Sequence, residues 1–309
     1  MTVANTSPND TVASDEPRSS RAATADGADT GFGADGHKVL PHRRSSHVVG
    51  FFGWYTRRLF RKRFAAVRVE KASLDRLNAL AADDRPLIII GNHPSWWDPL
   101  VAVLLNTTRL RGRPMMAVMD RAELERFAVF RKLGVLGVDP DDPDALDPMV
   151  RYLADEFRRQ PNSVLWITPQ GHFTDVRVPA RLRPGAARLA ARLDGVRVAV
   201  LAMEFTFWDD QFPEVFMRVI DAAPSENADQ PPSTTVWLRT MTAAMRDNQA
   251  ALAELVKLRR SEPFVTIAGK GGGAINPVYD LVLKLRGRTG ELGQRRRDAA
   301  ANRDAARSD

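Results

Sequence analysis

Apolar side chains along this chain fall into short runs and helical faces that alternate between about residues 48 and 258. Residues 87–90 (LIII) form an unbroken apolar run after Pro86, the pattern of a strand buried on both faces. Residues 96–105 then repeat apolar positions at helical spacing. A strand is predicted over 115–119, a helix over 122–132, and a loop over 138–148 (VDPDDPDALDP). Asp147-Pro148 resembles a helix N-cap with proline in the first turn, so the next helix is predicted over 149–159. Further strands are expected over 163–168, 196–205 and 215–220, a small-residue helix over 184–193, and a long helix over 234–258. This order predicts an α/β fold: a single domain with a mostly parallel central sheet flanked by helices.

The ends of the chain read differently. Residues 1–46 are rich in Ala, Ser, Thr, Asp and Gly, and residues 286–309 in Arg, Ala and Asp. Neither stretch carries enough apolar surface to offset the entropy of ordering, so both are expected to be disordered tails. The domain proper is expected over 72–285, and residues 47–71 form a lead-in of their own.

Charge sharpens this division. The 309 residues carry a net charge of +7. By segment it is −1 over 1–46, +6 over 47–71, −1 over 72–285 and +3 over 286–309. A neutral domain with basic flanks argues against nucleic acid as the partner. With no cysteine, thiolate catalysis, disulfides and Cys-ligated metal centres are excluded. The most apolar window, 86–105, contains His93, Asp98 and three prolines, so it does not read as a membrane span. The N-terminus lacks the pattern of a secretory signal.

Residues 88–99 (IIIGNHPSWWDP) hold the densest chemistry. A buried strand ends at Gly91, and a polar cluster follows at its carboxyl end, where open α/β sheets place ligands. His93 and Asp98 are five residues apart. With a helix starting at Pro94, Asp98 would lie about one turn in and reach the imidazole. A carboxylate that fixes the tautomer leaves the other ring nitrogen as a general base. The same pair also fits a buried histidine satisfied by a helix-capping aspartate.

Asn92-His93-Pro94-Ser95-Trp96-Trp97-Asp98 resembles the NHxxxxD first motif of the PlsC-type glycerophosphate/lysophosphatidate acyltransferase superfamily. Residues 117–139 resemble its second block, including a G-x-x-G-V-D strand. Residues 164–190 resemble its third, with Pro169-Gln170-Gly171 followed by a basic stretch and a Gly-Ala-Ala helix. Residues 198–204 stand in the place of the fourth. The resemblance implies transfer of an acyl group from acyl-CoA or acyl carrier protein to a lipid hydroxyl. His93 would take the hydroxyl proton, Asp98 would orient His93, and no cofactor or metal would be required. Asn92, Gln170, Gly171, His172, Arg177 and Arg181 are the candidate substrate contacts, with an amide near Gly171 as a candidate oxyanion donor. The chain departs from the family where the third motif, commonly Pro-Glu-Gly-Thr-Arg, reads Pro169-Gln170-Gly171-His172-Phe173, and at Pro140 after the second block. Pro140 and Phe173 stand where it commonly has arginines that hold the acceptor's phosphate. Arg177, Arg181 and Arg183 lie close downstream as candidate substitutes, or else as a solvated face.

Residues 47–68 (HVVGFFGWYTRRLFRKRFAAVR) complete the reading. Val48, Phe51, Phe52, Tyr55, Leu59 and Phe60 follow helical spacing beside Trp54, with Arg57, Arg58, Arg61, Lys62 and Arg63 among them. That pattern predicts an amphipathic helix on an anionic membrane surface, hence a peripheral protein on the inner, cytoplasmic face. It also fits an ordinary helix packed on the domain. His37, His42 and His47 have no acidic partners nearby in sequence and do not read as a metal site. The glycines around Lys270 read as a flexible loop rather than a P-loop. Two competing functions stay open: a hydrolase, with or without a metal, using His93, Asp98 and His172, and an inactive lipid-binding relative.

Overall fold

The strand β3, Leu87–Gly91, alternates between two cores. Ile88 and Ile90 join one apolar cluster, Leu87 and Ile89 the other. A strand buried on both faces lies inside a sheet covered by two layers. The computed structural model describes residues 38–224 and 231–270. Among these the remaining elements are β1 Val39–Leu40, α1 Ser46–Arg63, β2 Ala66–Glu70, α2 Lys71–Ala81, α3 Asp98–Thr108, β4 Met115–Asp120, α4 Arg121–Arg126, β5 Val135–Val138, α5 Leu146–Arg159, β6 Val164–Ile167, α6 Gly185–Ala190, β7 Arg197–Thr206, β8 Glu214–Asp221, α7 Thr234–Lys257 and β9 Phe264–Ala268.

The strands form one nine-stranded sheet in the order β1-β5-β4-β6-β3-β7-β8-β2-β9. The run from β5 through β4, β6 and β3 to β7 is parallel throughout, and β2 lies parallel to β8. β1, β8 and β9 supply the antiparallel joins. The mostly parallel α/β sheet expected from the alternation is thus observed. Helices α5, α6 and α7 cover one face through Val150, Leu153, Phe157, Leu189, Met241 and Met245. Helices α1, α2 and α3 cover the other through Phe60, Leu77, Leu80 and Leu104. Helix α3 is apolar almost all round, which fits its burial.

Several boundaries differ from the expected ones. The helix expected over 122–132 breaks at Phe127 into α4 and a 3₁₀ turn, Ala128–Leu133. Asp147 does not cap α5: the helix starts one residue earlier at Leu146, after a 3₁₀ turn over Pro143–Ala145. The chain joins the sheet sooner than its composition suggests. Val39 and Leu40 pair with β5, inside the stretch read as a tail. β2 runs through the supposed lead-in and lies between β8 and β9. Its Arg68 is buried because Glu214 on β8 accepts from it, as does Thr266 on β9. A buried charge needs such a partner. The expected tails up to residue 37 and from 286 onward, His37, and the glycines from 271 lie outside the described residues.

Helix α1 divides the apolar set expected on one face. Phe52, Gly53, Thr56 and Phe60 turn inward, and a side chain at Gly53 would collide with Thr107 of α3. Phe51, Trp54 and Tyr55 face outward instead, beside the bases. Among the described residues no helix is long and apolar enough to cross a membrane.

Gly134 sets the entry to β5. Its φ is +98°, and an added Cβ would strike the carbonyl of Met115. Gly134→Ala is therefore expected to cost about 2 kcal/mol or more in urea unfolding, from backbone strain and overpacking together. A loss under about 0.5 kcal/mol would contradict this account of the turn.

Candidate active site

The carboxyl ends of β6, β3 and β7 are neighbours, and the site is built on the loops that leave them. β3 runs out at Gly91. Asn92 then uses both ends of its amide on the adjacent β7: its Nδ2 donates to the Met203 carbonyl at 2.9 Å, and its Oδ1 accepts from the Met203 amide at 2.8 Å. Asn92 thereby locks the start of the loop, and its polar atoms face protein rather than a ligand.

His93 follows, with its backbone held on both sides. Its amide donates to Gln170 Oε1 at 2.8 Å, and its carbonyl accepts from the Thr174 amide at 2.8 Å. The loop after β6 thus grips the histidine from across the sheet. Residues 94–97 are not helical; α3 begins at Asp98 itself, with Pro99 in its first turn. The turn before it carries the Ser95 amide and the His93 ring to one carboxylate oxygen. Asp98 Oδ2 lies 2.8 Å from His93 Nδ1 and accepts from the Ser95 amide at 3.1 Å. The Asp98 side chain is 1% exposed and the imidazole 18%. Burial pushes the Asp98 carboxyl above the usual carboxylate range, while His93 and the Ser95 amide pull it back down. Its Oδ1 is buried without a partner among the described residues, so desolvation is only partly offset.

With Asp98 ionised, Nδ1 of His93 carries the proton and Nε2 keeps its lone pair. His93 is held at three points, two on its backbone and one on its ring, and offers one ring nitrogen for proton transfer. Among the described residues no serine hydroxyl bonds to the imidazole; that of Ser95 accepts from the Trp97 amide at 3.2 Å.

The other residues singled out in the sequence divide into two groups. Gln170 is buried against His93, as described. Gly171 adopts φ +76°, and its amide is used on the Thr168 carbonyl at 3.1 Å, which turns it away from an oxyanion role. His172 is exposed on the same loop, and its recorded bond is through its carbonyl. Arg177 is paired with Asp175, its guanidinium holding that carboxyl well below the usual range. Arg181 is exposed and makes no recorded contact with the His93 loop. Arg183 lies flat over Gly171 and donates to the Pro140 carbonyl at 2.9 Å, tying the loops after β5 and β6 together. His42 approaches Glu156, far from His93 in the fold. Among the described residues no group of three or more His, Asp or Glu side chains is placed to share a metal ion.

Two sets of aromatic contacts and one half-buried carboxyl were not foreseen. The Phe173 ring lies 4.5 Å from the imidazole of His93. Trp97, next to Asp98, packs on Phe60 and Phe64 at the end of α1, with centroids 5.6 and 4.7 Å away. Glu204, at the end of β7, is half-buried; burial and the charge of Asp175 raise its carboxyl above the usual range, while Lys257 lowers it. Only the spacing of aromatics around the motif hinted at the first two.

An α/β sheet with a carboxylate-bound histidine at a strand's carboxyl end defines a class of acid–base sites. Residues 68–204 match the model of the family described as Acyltransferase, so this part of the chain is a PlsC-type acyltransferase domain, which supports acyl transfer as its general activity. A comparison with curated proteins gives no match.

The environment of Asp98 sets a pH dependence for stability. A carboxyl whose folded pKa is raised binds protons more tightly in the native state, so it costs stability as pH rises above its ordinary value of about 4. Asp98→Asn removes that cost. The stability of the variant relative to the parent is expected to increase from pH 4 to pH 7 in urea titrations. A difference that stays constant across that range would contradict the burial argument.

Proposed function

We propose that this protein transfers a fatty acyl group from acyl-CoA or acyl carrier protein to a hydroxyl of a lipid acceptor, with His93 as general base. The observation that carries the reading is the 2.8 Å contact of His93 Nδ1 with buried Asp98, which leaves Nε2 as the basic ring nitrogen. Nε2 removes the acceptor's hydroxyl proton as the oxygen attacks the thioester carbon. The tetrahedral adduct collapses, the carbon–sulfur bond breaks, and the imidazolium returns the proton to the departing thiolate. Asp98 stabilises the imidazolium during the interval. Gln170 and Thr174 act by holding the His93 backbone in register, and Asn92 by fixing the loop to β7.

The acceptor and product are lipids, so the enzyme works at a membrane surface, on its inner face. Helix α1 supports this. Trp54, Arg57, Arg58, Arg61 and Lys62 line one shallow depression on its outer side. None of these bases, nor Arg63, forms an ion pair among the described residues, whereas Arg76, Arg85, Arg177, Arg188 and Arg197 each do. An unpaired basic cluster beside exposed aromatics suits anionic headgroups, with about 1 kcal/mol per base near the surface. The Phe60–Trp97 contact links that helix to the loop carrying Asp98.

His93→Ala is expected to lower acyl transfer from acyl-CoA to total membrane lipid by about 10³-fold, within the range for loss of a general base, while vesicle binding persists. Activity within about tenfold of the parent would overturn the assignment. Changing Arg57, Arg58, Arg61, Lys62 and Arg63 to Gln is expected to release the protein from vesicles containing anionic lipid in a flotation assay. Unchanged binding would remove the membrane role of α1.

A further inference from the structure

Phe173 occupies an unusual place for an exposed apolar side chain. It is 60% exposed, yet its ring lies against the His93 imidazole with the planes tilted by 42°. It is not alone. Trp96, on the loop after β3, is 60% exposed and stacks on Trp97 at 4.5 Å. Phe207, just beyond the end of β7, is 57% exposed. These three loops leave the adjacent strands β6, β3 and β7, so each of the three carboxyl ends around His93 carries an exposed aromatic ring. Exposed apolar residues scattered singly need no explanation, but a ring laid against the proposed base, with two more at the ends of the neighbouring strands, does.

The charges nearby point the same way. Asp175 lies two residues beyond Phe173, and its field on the half-buried Glu204 is opposed by that of Lys257. Three cations of these loops are already engaged, and Arg181, which is exposed, has no contact with the His93 loop among the described residues. Arg177 is bonded to Asp175 through two nitrogens. Arg183 is held by the Pro140 carbonyl, and Arg259 by the carbonyls of Phe207 and Trp208. A phosphate monoester brought to His93 would meet the Phe173 ring, with no guanidinium from that position to balance its charge. An uncharged, hydroxyl-bearing ring or polyol meets no such penalty. Its C–H face packs on the negative face of an aromatic ring, and its hydroxyls stay free at the edge to reach the base.

We propose that Phe173 determines acceptor choice: its ring is the platform beside His93 for a lipid whose hydroxyl-bearing head is an uncharged polyol or sugar, and lipids headed by a phosphate monoester are disfavoured. This rests on the acyltransferase reading above and names the acceptor class for the same site. Discrimination of this kind works by denying the wrong ligand a counter-charge as much as by fitting the right one.

The test uses the full-length protein with palmitoyl-CoA and three acceptors in mixed micelles: 1-monoacylglycerol, an alkyl glucoside and lysophosphatidate. The parent protein is expected to favour one of the two uncharged acceptors over lysophosphatidate by about tenfold or more in kcat/KM. Phe173→Ala is expected to raise KM for the favoured acceptor by about tenfold, with a smaller change in kcat, and Phe173→Tyr to restore it. Phe173→Arg is expected to shift the ratio toward lysophosphatidate by about tenfold, since it supplies the missing cation. A parent enzyme that prefers lysophosphatidate, and loses that preference in Arg181→Gln or Arg183→Gln, would overturn the proposal. So would a KM for uncharged acceptors that Phe173→Ala leaves unmoved. Failure to acylate any of the three, with His93→Ala also unchanged on total membrane lipid, would overturn the acyltransferase reading and this proposal with it.

Discussion

A carboxylate withdrawn from water must find partners or take up a proton. Asp98 is almost fully buried at the first residue of α3, and one of its oxygens receives both the His93 ring and the Ser95 amide. The start of a helix favours negative charge there, and burial opposes it. This balance ties several features of the site together. It holds the imidazole in one tautomer, it requires the turn at 94–97 to fold back, and it positions Trp97 to pack on α1. The rest of the neighbourhood serves the same end. Asn92 clamps the strand end to β7, while Gln170 and Thr174 clamp the histidine backbone to the loop after β6.

Much of this architecture can be read from local pattern. The run at 87–90 is apolar enough to mark an interior strand, and the histidine and aspartate beyond it sit where a parallel sheet presents its ligands. What was hidden is hidden for definite reasons. β1 is two residues long, too short for any period to show. β2 carries Arg68 in a run of bases, and only Glu214, far along the chain, makes its burial acceptable. The start of α3 was placed early because the prolines and tryptophans before it permit a helix; the carboxylate bonding to Ser95 prevents one.

The candidate site was legible in its two chemical residues and less so in their surroundings. Sequence distance concealed the grip of Gln170 on the His93 backbone, and nothing local indicated that the Asn92 amide would be used on Met203. The departures from the family at Pro140 and Phe173 were visible as substitutions. Their consequence needed the fold: the Pro140 carbonyl receives Arg183, and Phe173 lies on the imidazole. Likewise, the residues of α1 followed one helical pattern, but packing against Thr107 divided them into an inward set and an outward set.

Direct transfer through a histidine base, without a covalent acyl-enzyme, has a kinetic signature. The decisive measurement is initial-rate kinetics with acyl-CoA and acceptor both varied, together with intact-mass analysis of the enzyme mixed with acyl-CoA alone. The account requires intersecting double-reciprocal lines and an unmodified protein mass. Parallel lines, or a mass increase equal to one acyl chain, would indicate a covalent intermediate and contradict it.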